Sequence, residues 1–480
     1  MADVMTDYEQ CLEVVRAAGQ EHVFRWWDEL DERGRRKLLH QVRSVDFAEL
    51  SSLMSRYLGR VPEKFAGRLE PMEVVSLPRT PEQHAQWRQM GELGEAAIRR
   101  GEVGLFIVAG GQGTRLRYDP PKGTFPICPI SGKSLFHVFA EKLLATSARY
   151  RVRMPLYVMT SGINNAATNE FFRINHFFGI GRRNVIFAMQ DMLPAVDFAG
   201  NILLKAKDAL SMSPTGHGAS IKALKDSGAL DDMRRRGIKH LCYHQVDNVL
   251  VKSIDPAFLG FHIAARAEMS LKVLRKRDAT EKLGVVGIAD GRTRVVEYSD
   301  LCDELMYATN PDGSLVHATG SIAIHILDTD FIERENEGGF RLPYHVARKV
   351  VPHINGAGEL VKPDEPNGIK FETFVFDALP DARRSVVLET PREEEFAPVK
   401  NATGEDSPAT ARRALVNLYG RWLHEAGVEV PLDADGNVAG LIEISPLFAL
   451  DAQELAAKID RALKFDGKLL LEPPQLPKTE

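Results

Sequence analysis

The spacing of apolar and polar positions changes character along this chain. Up to about residue 100 it follows a helical period. Val23, Trp26, Trp27 and Leu30 fall on one face of a helix expected over 21–30, and Phe47, Leu50, Leu53 and Met54 form a second face. Both tryptophans read as packing residues of an N-terminal helical arm. From about 103 short apolar runs alternate with helical stretches. The runs at 105–108, 156–159, 185–187, 241–245, 271–274 and 285–288 predict strands. Ser134 is placed to cap a helix with Phe136, Phe139 and Leu143 on its inner face. Such alternation predicts an α/β domain with a mainly parallel sheet flanked by helices, whose ligands sit beyond the carboxyl ends of strands. From about 413 a helix carrying Ala414, Leu415, Leu418, Trp422 and Leu423 leads into short extended pieces and a turn at Asp433-Ala434-Asp435-Gly436. The polar, proline-rich residues 473–480 are expected to fray. The expected organisation is a helical arm over 1–100, an α/β domain over 101–412, and a small C-terminal domain with a tail over 413–480.

Composition narrows the class. A chain of 480 residues, 44% apolar and 26% charged, can bury a large core. A net charge of −5 gives no basis for broad binding to nucleic acid or a membrane surface. No apolar run is long enough to span a bilayer. The N-terminus lacks the basic-then-apolar pattern of a secretory signal. Cys11, Cys128, Cys242 and Cys302 are far apart, which reads as free thiols in a reducing cytoplasm. No Cys/His set with zinc-ligand spacing is visible.

The chemistry concentrates at 104–133. The buried strand Leu105-Phe106-Ile107-Val108 runs into Gly110-Gly111-Gln112-Gly113, then Thr114-Arg115, and later Pro121-Lys122-Gly123. Glycines let backbone N–H groups converge on an anion, and Arg115 and Lys122 add fixed positive charge. Together they form a cradle for a nucleoside triphosphate. A Walker loop is excluded because Ile127 stands where it needs glycine, and a dinucleotide fingerprint because Leu116 stands where it needs a small residue.

GGQGTRL followed by PKG resembles the signature of the UDP-sugar pyrophosphorylases, and most closely the UDP-N-acetylglucosamine (UDP-N-acetylhexosamine) branch. The likeness continues in order from about Gln20 to Leu450. It implies a glycosyltransferase-A-like nucleotidyltransferase fold and a set of roles. Gly110, Gly111, Gly113, Arg115 and Lys122 would hold the triphosphate. Asp247, in the segment Tyr243-His244-Gln245-Val246-Asp247-Asn248, would hold Mg2+, with Mn2+ as a substitute; an acid at a strand end supplies the hard oxygen that such ions take. Gln190 would read uracil, because an amide donates and accepts at once. Gly216 would give a backbone contact to the nucleotide. Gly284, Glu297, Ser321, His217, Lys370, Phe374 and Phe376 would border the sugar, the two phenylalanines alternating along a strand. Lys400 would contact the sugar phosphate.

The resemblance implies a uridylyltransferase that takes UTP and a sugar 1-phosphate, most directly N-acetylglucosamine 1-phosphate, and releases pyrophosphate. Two positions depart from that branch: His217 and Ser321 replace asparagines. They point toward glucose 1-phosphate or broad sugar use as the alternative. A glycosyltransferase would show two acids separated by one residue, and Asp247-Asn248 is not such a pair. A non-catalytic nucleotide-sugar binder should have lost Arg115, Lys122 or Asp247, and all three are present. Neither nucleic acid nor membrane is expected as a partner, and the sequence does not specify an oligomeric state.

Overall fold

The computed structural model describes residues 2–59, 64–111 and 113–473. Gln112 of the glycine turn and the expected frayed tail from 474 lie outside the described residues. The chain packs into two units. One combines Met1–Lys64, Gln190–Ser220 and Arg341–Asp377; the other combines Phe65–Met189, Ile221–Phe340 and Ala378–Glu480. These units cut across the three segments expected from sequence.

The larger unit is built on an α/β sheet. Its strands are β1 (Val103–Val108), β2 (Leu156–Ser161), β3 (Val185–Gln190), β4 (His240–Gln245), β5 (Met269–Arg275), β6 (Val285–Ala289), β7 (Arg292–Val296), β8 (Thr319–Asp328) and β9 (Val387–Glu389). They lie in the order β7-β6-β8-β4-β1-β2-β3, with β5 pairing β8 and β9. β1 is buried throughout and runs parallel to both β2 and β4. This is the parallel centre that the apolar runs predict. The ten-residue strand β8 lies antiparallel to β4, pairing Ile324 with His244 and Asp328 with His240. Its polar positions Ser321, His325 and Asp328 break the apolar signal, which is why it does not stand out in the sequence.

Register decides what meets at each edge. Val108 pairs with Gln245, so the loop after β1 and Asp247 after β4 leave the sheet at the same edge. Because β8 is antiparallel to β4, its first residues return to that edge. Val285 pairs with both Gly320 and Val296, which brings Gly284, Glu297 and Ser321 there as well.

Helices cover the sheet. The helix Leu135–Tyr150 is capped by the Ser134 side chain and buries Phe136, Phe139 and Leu143, as expected. The helix Pro81–Arg99 crosses the helix Pro256–Ala264 so closely that a Cβ on Gly94 would lie 1.9 Å from Pro256 O. That contact places residues 81–99 with the sheet. The helix Pro408–Glu425 buries Leu415, Leu418 and Leu423 in the same core. The turn at Asp433 closes as predicted: its Oδ1 accepts from Asp435 N and Asn437 N, both at 2.9 Å.

The smaller unit gathers three stretches around one core. Helices Ala2–Ala17, Glu32–Arg43 and Phe47–Tyr57 contribute Val15, Leu38 and Leu50, which cluster with Val196, Ile202, Ile369 and Phe371. Asp31 and Asp46 cap the second and third helices. The helix expected over 21–30 is instead two short 3₁₀ turns, Glu21–Phe24 and Trp27–Glu29. The cause is aromatic packing, which overrides a weak local preference. Trp27 stacks on Tyr8 at 4.3 Å and meets Phe24 edge-on at 5.6 Å. Trp26 turns away from this core and carries the Lys207 ammonium 4.5 Å above its ring.

Candidate active site

The loop after β1 is held by the end of β2. Ser161 Oγ donates to Gly110 O at 2.7 Å, and Asn164 Nδ2 donates to Ala109 O at 2.7 Å. Gly110 and Gly113 are buried and Gly111 is exposed. Arg115 follows in the short 3₁₀ turn Thr114–Leu116, anchored by buried Leu116. Its side chain is exposed and enters no ion pair among the described residues. Lys122 opens a second turn, Lys122–Thr124, over which the Tyr118 hydroxyl reaches to Thr124 Oγ1 at 2.9 Å.

Lys122 and Asp247 meet. The Lys122 ammonium donates to Asp247 Oδ2 at 2.8 Å, with both side chains largely withdrawn from solvent. Burial by itself would push the Asp247 carboxyl up. The positive charges of Lys122 and Lys400 outweigh it and hold the group below the usual carboxylate range. Lys400 is half-buried, with its ammonium 5.9 Å from the Phe396 ring centroid. Two ammonium groups thus flank one carboxylate at the edge where the β1 loop emerges.

Gly284, Glu297 and Ser321 also come together. Ser321 N donates to Gly284 O at 2.8 Å, and a Cβ on Gly284 would sit 3.1 Å from Glu297 Oε2. Ser321 begins an irregular stretch of β8: the register against β5 shifts before His325, and Ala323 has φ +55°. That irregularity re-aims the strand where the resemblance expects the sugar.

The smaller unit holds the remaining residues. Gln190 is buried, and its Oε1 has no hydrogen-bond partner among the described residues. A buried amide oxygen left unpaired is costly, and an N–H donor from a ligand would satisfy it. Gly216 has φ +89°, and a Cβ there would fall 2.4 Å from Thr373 O. Its glycine is therefore required by the backbone of 373. His217 Nδ1 accepts from Val375 N at 3.1 Å. The ring lies 5.3 Å from Phe374 and 5.7 Å from Phe376, and the two phenylalanines are 5.1 Å apart. His345 adds a fourth ring 4.6 Å from Phe374 and bonds Asp377 Oδ2 through Nε2 at 2.8 Å.

One expectation needs correction here. Phe374 and Phe376 are not on a strand: the strand Gly368–Glu372 ends first, and Val375–Asp381 is a 3₁₀ helix. Bonds from Thr373 N and Thr373 Oγ1 to Thr215 O end the ladder and turn the chain. Both rings can therefore face His217. Lys370 lies within that strand, paired with Ala347, and burial pushes its ammonium below the usual lysine range.

A family model described as UTP–glucose-1-phosphate uridylyltransferase matches residues 76–455. The chain belongs to this uridylyltransferase family. It is 37% identical to the human UDP-N-acetylhexosamine pyrophosphorylase-like protein 1, across 96% of each chain. It is 34% identical to the UDP-N-acetylglucosamine pyrophosphorylase of Saccharomyces cerevisiae, across 97% of this chain and 98% of the yeast protein. The crystal structure of the Trypanosoma brucei UDP-N-acetylglucosamine pyrophosphorylase in complex with an inhibitor superposes with a TM-score of 0.76. That match has 29% identity and covers 94% of each chain.

In this uridylyltransferase family member a clamp behind Asp247 escapes sequence reasoning. Asn248 Nδ2 donates to Glu395 O at 2.6 Å, and its Oδ1 accepts from Ala397 N at 3.0 Å. Val399 N donates to Asp247 O at 2.9 Å. These bonds tie the segment carrying Lys400 to the strand end carrying Asp247. Glu395 is fixed in turn by the fully buried Lys272, at 2.5 Å, and by Thr390 Oγ1 at 2.7 Å. Lys272 also bonds Asp255 at 2.6 Å, so two carboxylates share the buried ammonium. On the other side, Lys400 N and Asn401 N both donate to Asp406 O, at 2.6 and 3.0 Å. Ala402 N donates to Arg115 O at 3.0 Å, joining this segment to the glycine loop. The adjacency of Asp247 and Asn248 was the available signal for the clamp; its partners lie too far along the chain for spacing to reveal.

Proposed function

We propose that this chain is a uridylyltransferase that forms UDP-N-acetylglucosamine and pyrophosphate from UTP and N-acetylglucosamine 1-phosphate. The observation that carries this reading is the Lys122–Asp247 pair, with Lys400 beside it, at the sheet edge where the glycine loop emerges. The attacking atom is a phosphate oxygen of the sugar 1-phosphate. It is already anionic, so neither a protein nucleophile nor a general base is required. It bonds to the α-phosphorus of UTP as the bond to the bridging oxygen breaks, and pyrophosphate leaves with that electron pair. The protein's task is to align the two phosphates and to neutralise charge. Arg115 and Lys122 serve the triphosphate, and Lys400 the sugar phosphate.

Magnesium in such sites is usually held by one or two carboxylates together with substrate phosphates. Asp247 offers one carboxylate, kept anionic by its neighbours, so the residues present fit Mg2+ or Mn2+. When bound, that ion would neutralise triphosphate charge. Gln190 is assigned to uracil, Gly216 to a backbone contact with the nucleotide, and Glu297 to sugar hydroxyls. Gly284, Ser321, His217, Lys370, Phe374 and Phe376 are assigned to the sugar's surroundings.

No helix among the described residues is long and apolar enough to cross a membrane. The four cysteines are free, which suits a reducing cytoplasm, and cell fractionation tests that placement. The reaction is tested by supplying UTP with N-acetylglucosamine, glucose and galactose 1-phosphates and following pyrophosphate release. Turnover with the first sugar that stops on metal chelation is the expected result. Absence of pyrophosphate with every sugar would leave a nucleotide-sugar binder instead.

A further inference from the structure

At the end of β4 remote from Asp247, three side chains from separate elements converge. His240 opens β4, Asp328 closes β8, and the two are cross-strand partners. His262 projects from the helix Pro256–Ala264. Asp328 Oδ1 lies 2.6 Å from His240 Nδ1 and 2.8 Å from His262 Nε2. All three ligand atoms fall within 4.8 Å of one another.

Their surroundings match those of a metal centre. His262 and Ser270 are both 0% exposed, and His262 Nδ1 lies 2.7 Å from Ser270 Oγ. Metal-bound histidines almost always engage their second nitrogen in this way. A hydroxyl can donate to that nitrogen or accept from it, so either ring tautomer is served. The Ser270 oxygen also accepts from Val386 N at 3.2 Å, which fixes its position. Among the described residues no lysine or arginine pairs with Asp328. Among the described residues its carboxylate is thus met by two imidazoles and by no fixed cation, so a metal ion there would find an anionic ligand. The Asp328 side chain is 28% exposed and that of His240 13%, so water can approach as a further ligand.

We propose that His240, His262 and Asp328 form a binding site for one divalent transition-metal ion of the zinc class. Two imidazoles and one carboxylate suit zinc, cobalt or nickel, whereas magnesium and calcium take oxygen ligands. Zinc bonds of about 2.0–2.2 Å would separate the ligand atoms by roughly 3.4 Å, so the present contacts need to open by less than about 1 Å. A strand rise of about 3.3 Å per residue puts this site roughly 20 Å from Asp247. Its role is to clasp β4, β8 and the helix, and it takes no part in nucleotidyl transfer.

The test uses the full-length chain, stripped with chelator and then titrated with Zn2+ and, separately, Co2+. One equivalent should bind, Co2+ should give the visible absorption of a nitrogen- and oxygen-bound tetrahedral ion, and Zn2+ should raise the melting temperature where Mg2+ does not. His240→Gln keeps a hydrogen-bond donor beside Asp328, so it should fold while weakening binding at least tenfold. Asp328→Asn should do the same, and Mg2+-supported turnover of His240→Gln should match the parent. No uptake by the parent chain, or equal uptake by parent and His240→Gln, would overturn the proposal and leave a hydrogen-bonded triad.

Discussion

Lys122 Nζ and Asp247 Oδ2 stand 2.8 Å apart although 125 residues separate them in the chain. Each opposes the desolvation of the other, and both occupy the edge to which the β1 loop delivers the glycines. Lys122→Ala and Arg115→Ala are each expected to lower turnover by roughly 10²–10³, the scale for losing one preorganised charge-stabilising group. Steady-state kinetics beside a thermal melt will separate this from unfolding. Near-parental turnover in both variants would remove them from the triphosphate.

Asp247→Ala should abolish the metal-dependent rate, whereas Asp247→Glu should retain part of it at raised metal concentration. A metal titration of activity reads this directly. Unchanged turnover of the parent chain in excess chelator would contradict the assignment of Asp247.

Asn248→Ala tests the clamp. It leaves the carbonyl of Glu395 and the amide of Ala397 without their side-chain partner, each worth about 1–3 kcal/mol if left unsatisfied. Misplacing Lys400 by about an ångström can cost on the order of 10²-fold in rate. The expected signature is a large loss in kcat with little change in KM for UTP. A melting temperature that falls while the kcat of the folded fraction stays constant would make Asn248 purely structural.

Lys142 supplies a pH test. Its ammonium is buried, donating to Val249 O at 2.8 Å and Val251 O at 2.7 Å, just beyond Asp247. Burial pushes its pKa down to about 7. In the unfolded chain it titrates near ~10.4, so between these values the unfolded state binds the extra proton. Stability should therefore rise with pH from about 7 to about 10, by up to about 1.4 kcal/mol per unit from this group. Denaturant melts across that range should show the rise in the parent and its loss in Lys142→Met. Equal slopes would mean that Lys142 is solvated enough to titrate normally.

Sugar choice is expected to depend on His217 and Ser321, assigned above to the sugar's surroundings. With the family's asparagines replaced at both positions, the amide groups that would engage an acetamido substituent are absent, and discrimination should weaken. Measurable use of glucose 1-phosphate is expected beside the N-acetyl sugar. The double change His217→Asn with Ser321→Asn should shift the kcat/KM ratio toward the N-acetyl substrate. Strict rejection of glucose 1-phosphate by the parent chain would show that other residues set the choice.

The glycine turn and Asp247 are legible in the sequence because each follows a buried strand directly, and the sheet then brings the strand ends together; Lys122, in a separate turn well after β1, stands out only through the Pro121-Lys122-Gly123 motif. The Asn248–Glu395 bond is not legible, since it spans 147 residues and no local pattern marks a carbonyl as its acceptor. His240, His262 and Asp328 are hidden for the same reason: only the β4–β8 register makes two of them neighbours. The strand reading of Phe374 and Phe376 fails because three residues are too few to distinguish a period of two from a tight turn. At 21–30 the helical spacing is real, but stacking on Tyr8 captures Trp27 and sets Trp26 aside.

The discontinuous core of the smaller unit has a consequence for how the chain is made. Val15, Leu38 and Leu50 emerge early from the ribosome, while their partners Ile369 and Phe371 emerge far later. At ~5–20 residues per second, the N-terminal helices wait on the order of 15–60 s for the segment that completes their core. During that interval their apolar faces are open to chaperones or to neighbouring nascent chains. Slowing translation between 64 and 341 should therefore lower the yield of folded protein more than slowing it after 377.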